Sequence, residues 1–182
     1  MRHRHSLLCA ITVATALLAL RWLKSGTIPQ RAASALLVVH WGWSGLIYHF
    51  FYFRAINPGA ILFALAFVVQ AVVFAWLVWR GPGGSAVLSG FDGALAKAFL
   101  VYALAYPLAA MMTGLNYPRI PLFAVPCPTT LATAAVLLTM TGVSRWVRLI
   151  PILWALIGAS AAVLLQMWPD VALLVAAGAL TV

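Results

Sequence analysis

The chain is dominated by long apolar runs that are separated by short breaks of proline, glycine or basic residues. Hydrophobic residues make up 65% of the sequence and charged residues 7%, whereas an average soluble domain has about 45–50% and about 25%. A soluble chain of this length cannot hide so much apolar surface in one core. We therefore expect lipid to be its solvent, and an all-α fold whose helices cross a bilayer.

The apolar runs predict a single integral membrane domain over residues 1–182, a polytopic transmembrane helical bundle. A spanning helix needs about 20 apolar residues, and six runs meet this need, with approximate bounds 6–23, 32–53, 59–79, 94–115, 128–143 and 149–168. A seventh apolar segment, 171–182, is short. It either forms a helix that ends early or lies half buried at the interface.

The breaks between the runs predict loops and kinks. The stretch from Arg80 to Gly93 is rich in glycine and lacks the Gly-Lys-Ser/Thr of a phosphate loop, so we expect a flexible connection rather than a nucleotide site. Asn57-Pro58 ends the second helix, and Pro107 is expected to kink the fourth. The N-terminal run leads into basic residues without a small-x-small cleavage site, which favours an uncleaved first helix over a signal peptide.

The distribution of positive charge predicts partner and orientation. The net charge is +9, but the basic residues lie singly between apolar runs, which indicates a lipid bilayer and no nucleic acid as partner. Seven of the 11 Lys and Arg residues fall in the first, third and fifth loops. By the positive-inside rule these loops are cytoplasmic in a bacterial inner membrane, and loops 54–58 and 116–127 face outward.

His49 is the first candidate for chemistry, because an ionisable residue inside a spanning helix is costly and is commonly functional. It lies about four residues from the end of its helix, so a neutral histidine that bonds a neighbouring helix is the alternative. His40 lies on the opposite face, and the two cannot bind one metal within the helix. An aromatic stripe shares one face, an arrangement more typical of packing than of a ligand site: Trp41, Gly45, Tyr48 and Tyr52.

Cys127, in the segment 126–130 (PCPTT), is the second candidate. Pro128 suits the first helical position, which makes Cys127 the predicted N-cap. A thiol there feels the positive end of the helix, and its pKa can fall; the alternative is a small apolar residue that closes a turn. If His49, Asn57 and Cys127 face the same outer side, a shared site is allowed, with His49 and Cys127 as candidate metal ligands and the cofactor unknown.

The two segments together define one candidate ligand or structural site, which comprises Trp41, Tyr48, His49, Asn57, Pro58, Cys127, Pro128 and Thr129. The acids Asp92 and Asp170 are both predicted in loops, and the lack of a carboxylate within a span argues against a proton-coupled relay. Gln70 and Gln166 are expected to form interhelical hydrogen bonds. Small residues predict close helix packing at these positions: Gly42, Gly45, Ala155, Gly158, Ala159 and Ala162.

Two motifs resemble those of the uncharacterised bacterial domain-of-unknown-function family 6064, a family of multi-pass membrane proteins. They are WGWSG…YH…F…INP over residues 41–58 and FAVPCPTT over residues 123–130. The resemblance covers the chain from about Ala32 onward and includes residues 151–158 (PILWALIG). It implies a polytopic helical architecture, and the family has no established activity to carry over.

Three functions fit these observations. The first is a small permease or a ligand- or metal-binding membrane protein with a site near the outer face, between the second, third and fifth helices. The second is a membrane enzyme that uses Cys127 as a thiolate beside His49. The third is a structural or accessory subunit of a membrane complex, or a homo-oligomer, which needs no chemistry. Whether the chain is an enzyme stays open, with the balance toward a non-enzyme.

Overall fold

The computed structural model is all-helical apart from one small ribbon, and it describes residues 2–182 except 116–120, 122–124 and 165. The α-helices are α1 Arg2–Ser25, α2 Gln30–Trp43, α3 Ala60–Arg80, α4 Gly90–Met111, α5 Pro126–Thr139, α6 Leu149–Leu164 and α7 Ala172–Thr181. The strands are β1 Thr27–Pro29 and β2 Ser85–Val87. Shorter helical segments are the π-helix Ser44–Tyr52 and the 3₁₀ turns Phe53–Ala55, Arg145–Arg148 and Trp168–Val171.

Four helices in the described part of the chain are long and apolar enough to cross a membrane, fewer than the six predicted: Leu8–Ser25, Ala60–Arg80, Gly90–Met111 and Arg145–Leu164. The predicted span 32–53 is divided between α2 and the π-helix. The predicted span 128–143 corresponds to α5, which at 14 residues is shorter than the about 20 that a span needs. Residues 171–182 form the short helix α7.

A β-ribbon replaces the flexible connection that we predicted after Arg80. β1 and β2 pair antiparallel, with Ile28 opposite Ala86. The ribbon is extended by a hydrogen bond of 2.8 Å from the Leu88 amide to the Gly26 carbonyl oxygen. Ile28 is fully buried, so an apolar contact holds the ribbon against the helices. The first and third loops therefore lie at the same end of the bundle, as the predicted topology requires.

Small residues allow close helix contacts at some of the predicted positions. A Cβ on Gly45 would lie 3.1 Å from the Ala64 carbonyl oxygen, and one on Gly158 would lie 2.7 Å from Leu173 Cδ1. The π-helix therefore packs closely on α3, and α6 packs closely on α7. Gly42 has open space where a Cβ would be, so the prediction for that residue was wrong.

The π-helix disrupts the predicted aromatic stripe. An α-helical spacing places Trp41 and Tyr52 on one face, but Trp41 is fully buried and Tyr52 is 59% exposed. A π-helix has a wider turn than an α-helix, with i to i+5 hydrogen bonds, so the α-helical periodicity fails beyond Ser44. Pro107 lies inside α4, and the helix continues past it to Met111.

Candidate functional site

His49 lies in the π-helix and is packed entirely among aromatic rings. It is fully buried, and neither ring nitrogen has a hydrogen-bond partner among the residues that the structure describes. Five rings have centroids 4.7–5.9 Å from the imidazole, those of Tyr48, Phe53, Phe63, Phe67 and Trp154. An imidazole in such surroundings packs as a neutral aromatic ring, because nothing compensates a buried charge. The alternative that we kept open, a hydrogen bond from His49 to a neighbouring helix, is not formed within the described part of the chain.

Trp41 joins three helices at the centre of the bundle. Its indole nitrogen donates a hydrogen bond of 2.9 Å to Thr133 Oγ1, and the Thr133 hydroxyl donates to the Thr129 carbonyl oxygen. The Trp41 ring lies 4.3 Å from that of Phe67 on α3. Pro128 and Thr129 are buried in the first turns of α5. These three predicted site residues therefore hold α2, α3 and α5 together.

His40 is a similar packing residue on the other face of the same helix. Its Nε2 lies 2.7 Å from the hydroxyl oxygen of Thr15, which donates in turn to the Ile11 carbonyl oxygen. His40 thus contacts α1 while His49 contacts α3 and α6. The two histidines therefore contact different helices.

Asn57 and Pro58 form the turn that starts α3. The side-chain oxygen of Asn57 accepts a hydrogen bond of 3.0 Å from the Gly59 amide. Pro58 is exposed. The local geometry explains this motif as a turn that satisfies a free backbone donor at a helix start.

Cys127 lies two positions further into the helix than we predicted. Val125 is the N-cap and Pro126 the first helical residue, so the assignment of Cys127 as N-cap was wrong. The thiol is within hydrogen-bond reach of Asp170 and of Tyr106. With an acid rather than a cation beside it, Cys127 is better placed to donate a hydrogen bond as a neutral thiol than to act as a thiolate.

Alkylation of Cys127 tests this conclusion. In a Cys9→Ser variant, we expect Cys127 to react with a maleimide far more slowly than free cysteine at pH 8, and to react fully once the protein is unfolded. The rate against pH reports the thiolate fraction. Rapid alkylation of the folded protein at neutral pH would restore the thiolate interpretation.

Asp170 forms the polar centre that the sequence did not predict. It lies in the turn between α6 and α7 and is 3% exposed. The Tyr106 hydroxyl donates a hydrogen bond to Asp170 Oδ1, and the Tyr102 hydroxyl donates one of 2.9 Å to the Pro169 carbonyl oxygen. Burial raises the pKa of Asp170, and the hydrogen bonds from Tyr106 and Cys127 oppose that shift only in part. We call Tyr106, Cys127 and Asp170 the Asp170 cluster.

Tyr48 and Trp154 connect the Asp170 cluster to His49. Tyr48 packs edge-on against His49 and is within electrostatic range of Cys127 and Asp170. On α6, a Cβ at Gly158 would lie 3.7 Å from Trp154 Nε1 and 4.0 Å from Cys127 Sγ. We expected that His49 and Cys127 could share one site. They lie instead in two neighbouring clusters, which are connected by contacts with aromatic residues.

An open cleft lies beside the Asp170 cluster. Its volume is about 370 Å³, and its lining includes Tyr102, Pro169, Met112 and Trp168. Two of its lining residues, Tyr102 and Pro169, are joined by the hydrogen bond described above, and Pro169 directly precedes Asp170 in the chain. Surface clefts of this size are large enough to admit a small ligand.

The residues around Asp170 were present in the sequence without being recognised. Tyr102 and Tyr106 are four residues apart, which places both on one face of α4. Asp170 is one of two acidic residues in the chain, and we assigned it to a loop because Pro169 breaks the helix. Among the described residues, no group of three or more His, Cys, Asp and Glu side chains could hold a metal ion. Most of the predicted outward loop 116–127 lies outside the described residues.

Comparison with known proteins gives one result. The model for the "Family of unknown function (DUF6064)" matches residues 5–182. This confirms the resemblance and extends it from about Ala32 to nearly the start of the chain. No curated protein and no solved structure gives a significant match.

Proposed function

We propose a function on the premise that the chain belongs to the family of unknown function DUF6064. In this proposal it is a multi-pass protein of the bacterial inner membrane that binds a small ligand at the Asp170 cluster, as a small permease or a binding protein. The observation that carries the proposal is a buried carboxyl group next to a cleft. We therefore propose the site between α4, α5 and the α6–α7 turn, instead of the expected position between the second, third and fifth helices.

The outer surface of the helices supports the membrane location. Large apolar side chains point away from the core on several helices, with Leu62 70%, Trp79 81% and Val163 71% exposed. Exposing such a surface to water costs free energy, whereas the acyl chains of lipids cover it without that cost. The pairing of the first and third loops at one end supports the alternation of the helices across the bilayer.

The chemistry of Asp170 suits a protonated or cationic ligand. A buried carboxyl group is costly as an unpaired anion, so it holds a proton or pairs with a positive group. Tyr106 and Cys127 supply hydrogen bonds to either form. A ligand with an ammonium group, or a proton itself, compensates the charge that burial disfavours. The expected argument against a proton-coupled site, that no carboxylate lies within a span, does not extend to Asp170, which lies in a turn and is buried.

Ligand-dependent thermal stability tests the proposal. We expect small organic amines to raise the unfolding temperature of the detergent-solubilised protein, and matched neutral compounds to leave it unchanged. Asp170→Asn removes the charge at nearly constant shape and should abolish the shift. Met112→Trp should weaken the shift without disturbing the core, because Met112 lines the cleft and is 90% exposed.

The alternative is a structural or accessory subunit, and a specific observation favours it. Among the described residues His49 is fully buried without a hydrogen-bond partner, and a Cβ on Gly158 would lie 2.7 Å from Leu173 Cδ1, so α6 and α7 pack closely there. If no amine stabilises the wild type, and the protein co-purifies from membranes in a fixed ratio with another protein, the subunit role replaces the binding role. Equal stabilisation of wild type and Asp170→Asn would also reject the site.

A further inference from the structure

The turn between α5 and α6 carries two arginines and lies beside the middle of another helix. In the 3₁₀ turn Arg145–Arg148, the buried Val147 accepts a hydrogen bond of 3.1 Å at its carbonyl oxygen from the side-chain amide of Gln70. Gln70 lies midway along α3, about 15 Å from Ala60 and from Arg80 at 1.5 Å per residue. The arginine turn therefore lies halfway along α3 and not beside its end.

The helices next to this turn are shorter than α3 and α4, although the turn and α6 together, Arg145–Leu164, are long enough to cross a membrane. α5, α6 and α7 have 14, 16 and 10 residues, whereas α3 and α4 have 21 and 22. The Arg148 guanidinium donates a hydrogen bond of 3.4 Å to the Leu180 carbonyl oxygen, so α7 ends at the same level as the turn. At this end of the bundle α3 therefore extends further than α5, α6 and α7. We call the resulting offset the step, and the two arginines lie at its base.

The step is open, and the sequence has two acidic side chains to balance its eleven Lys and Arg residues. Arg145 is exposed and Trp146 is 70% exposed. Of the two acidic residues in the sequence, Asp92 lies in the first turn of α4 and Asp170 is bonded to Tyr106. A guanidinium at this depth of a bilayer needs an anion or water as partner, and its side chain covers only part of the distance to the interface.

We propose that an anionic phospholipid occupies this step, with its phosphate between Arg145 and Arg148. A guanidinium presents a fork of N–H donors that matches phosphate oxygens. Three leucines continue from the step along one face of α6, with exposures of 45–51%: Leu149, Leu153 and Leu156. A lipid covers this apolar track with its acyl chains as well as binding the arginines, which a free phosphate does not. The inference rests on the membrane location proposed above.

Lipid titration of the protein in neutral detergent tests the inference. We expect phosphatidylglycerol to raise the unfolding temperature and to remain bound in native mass spectrometry, whereas phosphatidylcholine and inorganic phosphate do neither. Arg145→Gln should weaken phosphatidylglycerol binding roughly fivefold, the effect of one basic residue near an anionic lipid. Arg148→Lys keeps the charge but loses the fork, and it should weaken binding without unfolding the protein.

A matched control lies at the other end of the bundle. Arg54 lies 4.3 Å from the centre of the Phe50 ring, outside the step, so Arg54→Gln should leave lipid binding unchanged. Equal binding of phosphatidylcholine overturns the lipid site. So does phosphatidylglycerol binding that is unchanged in both the Arg145→Gln and the Arg148→Lys variant. Stabilisation by inorganic phosphate alone overturns the lipid in favour of a free anion. A protein released from membranes by alkaline carbonate instead rejects the membrane location itself.

Discussion

Replacing Trp41 with alanine is expected to lower the free energy of unfolding by about 3–5 kcal/mol, the usual cost of truncating a buried tryptophan. Trp41 is fully buried, and it contacts α3 through Phe67 and Phe74 and α5 through Thr133. The truncation leaves a cavity where three helices meet, which the backbone cannot close without separating them. Reversible unfolding of the purified protein in mixed micelles measures the change.

Two milder variants divide this cost between packing and hydrogen bonding. Trp41→Phe keeps most of the ring and removes the N–H donor, and Thr133→Val removes its acceptor. Each should cost about 1–3 kcal/mol, because each leaves one buried partner of the hydrogen bond unpaired. A loss below about 1 kcal/mol in Trp41→Ala would contradict the central position of Trp41. It would also leave the aromatic motif of residues 41–45 open to a role in ligand binding.

The order of helices and loops could be predicted from the apolar runs, but their lengths could not. Hydropathy reports which residues avoid water, and it does not distinguish an α-helix from the π-helix that begins at Ser44. Nor does it show that α5 ends at Thr139. The ribbon of β1 and β2 was missed for a different reason. Its strands have three residues each and are separated by α2 and α3 along the chain, so neither carries a strand periodicity of its own.

The candidate site was predicted in part, because sequence motifs identify residues and not their contacts. Tyr48 lies within electrostatic range of Cys127, and its ring contacts that of His49. Asp170 was set aside because a proline precedes it. In the folded chain the turn of Asp170 folds inward against α4, where Tyr106 binds the carboxyl group. Only the tertiary contact distinguishes this acid from Asp92, which is exposed.

Asp170→Asn is expected to change how stability depends on pH. Burial raises the pKa of Asp170 in the folded state above its unfolded value of 3.8. Between these two pKa values the folded protein keeps the proton and the unfolded chain has lost it, so stability falls as pH rises through this window. Below the unfolded pKa the carboxyl group is neutral in both states and imposes no loss. Each unit of displacement corresponds to about 1.4 kcal/mol.

The difference between wild type and Asp170→Asn isolates this effect from every other titrating group. Unfolding measured from pH 3.5 to pH 8 should show the variant gaining stability relative to wild type as pH rises, with the gain levelling off above the raised pKa. Asp92→Asn, which removes the exposed carboxylate at the start of α4, should show no such gain. A constant difference between Asp170→Asn and wild type across this range would mean that Asp170 is paired with a positive group. A buried carboxyl group that responds to pH in this way is the property that a proton- or amine-binding site at the Asp170 cluster requires.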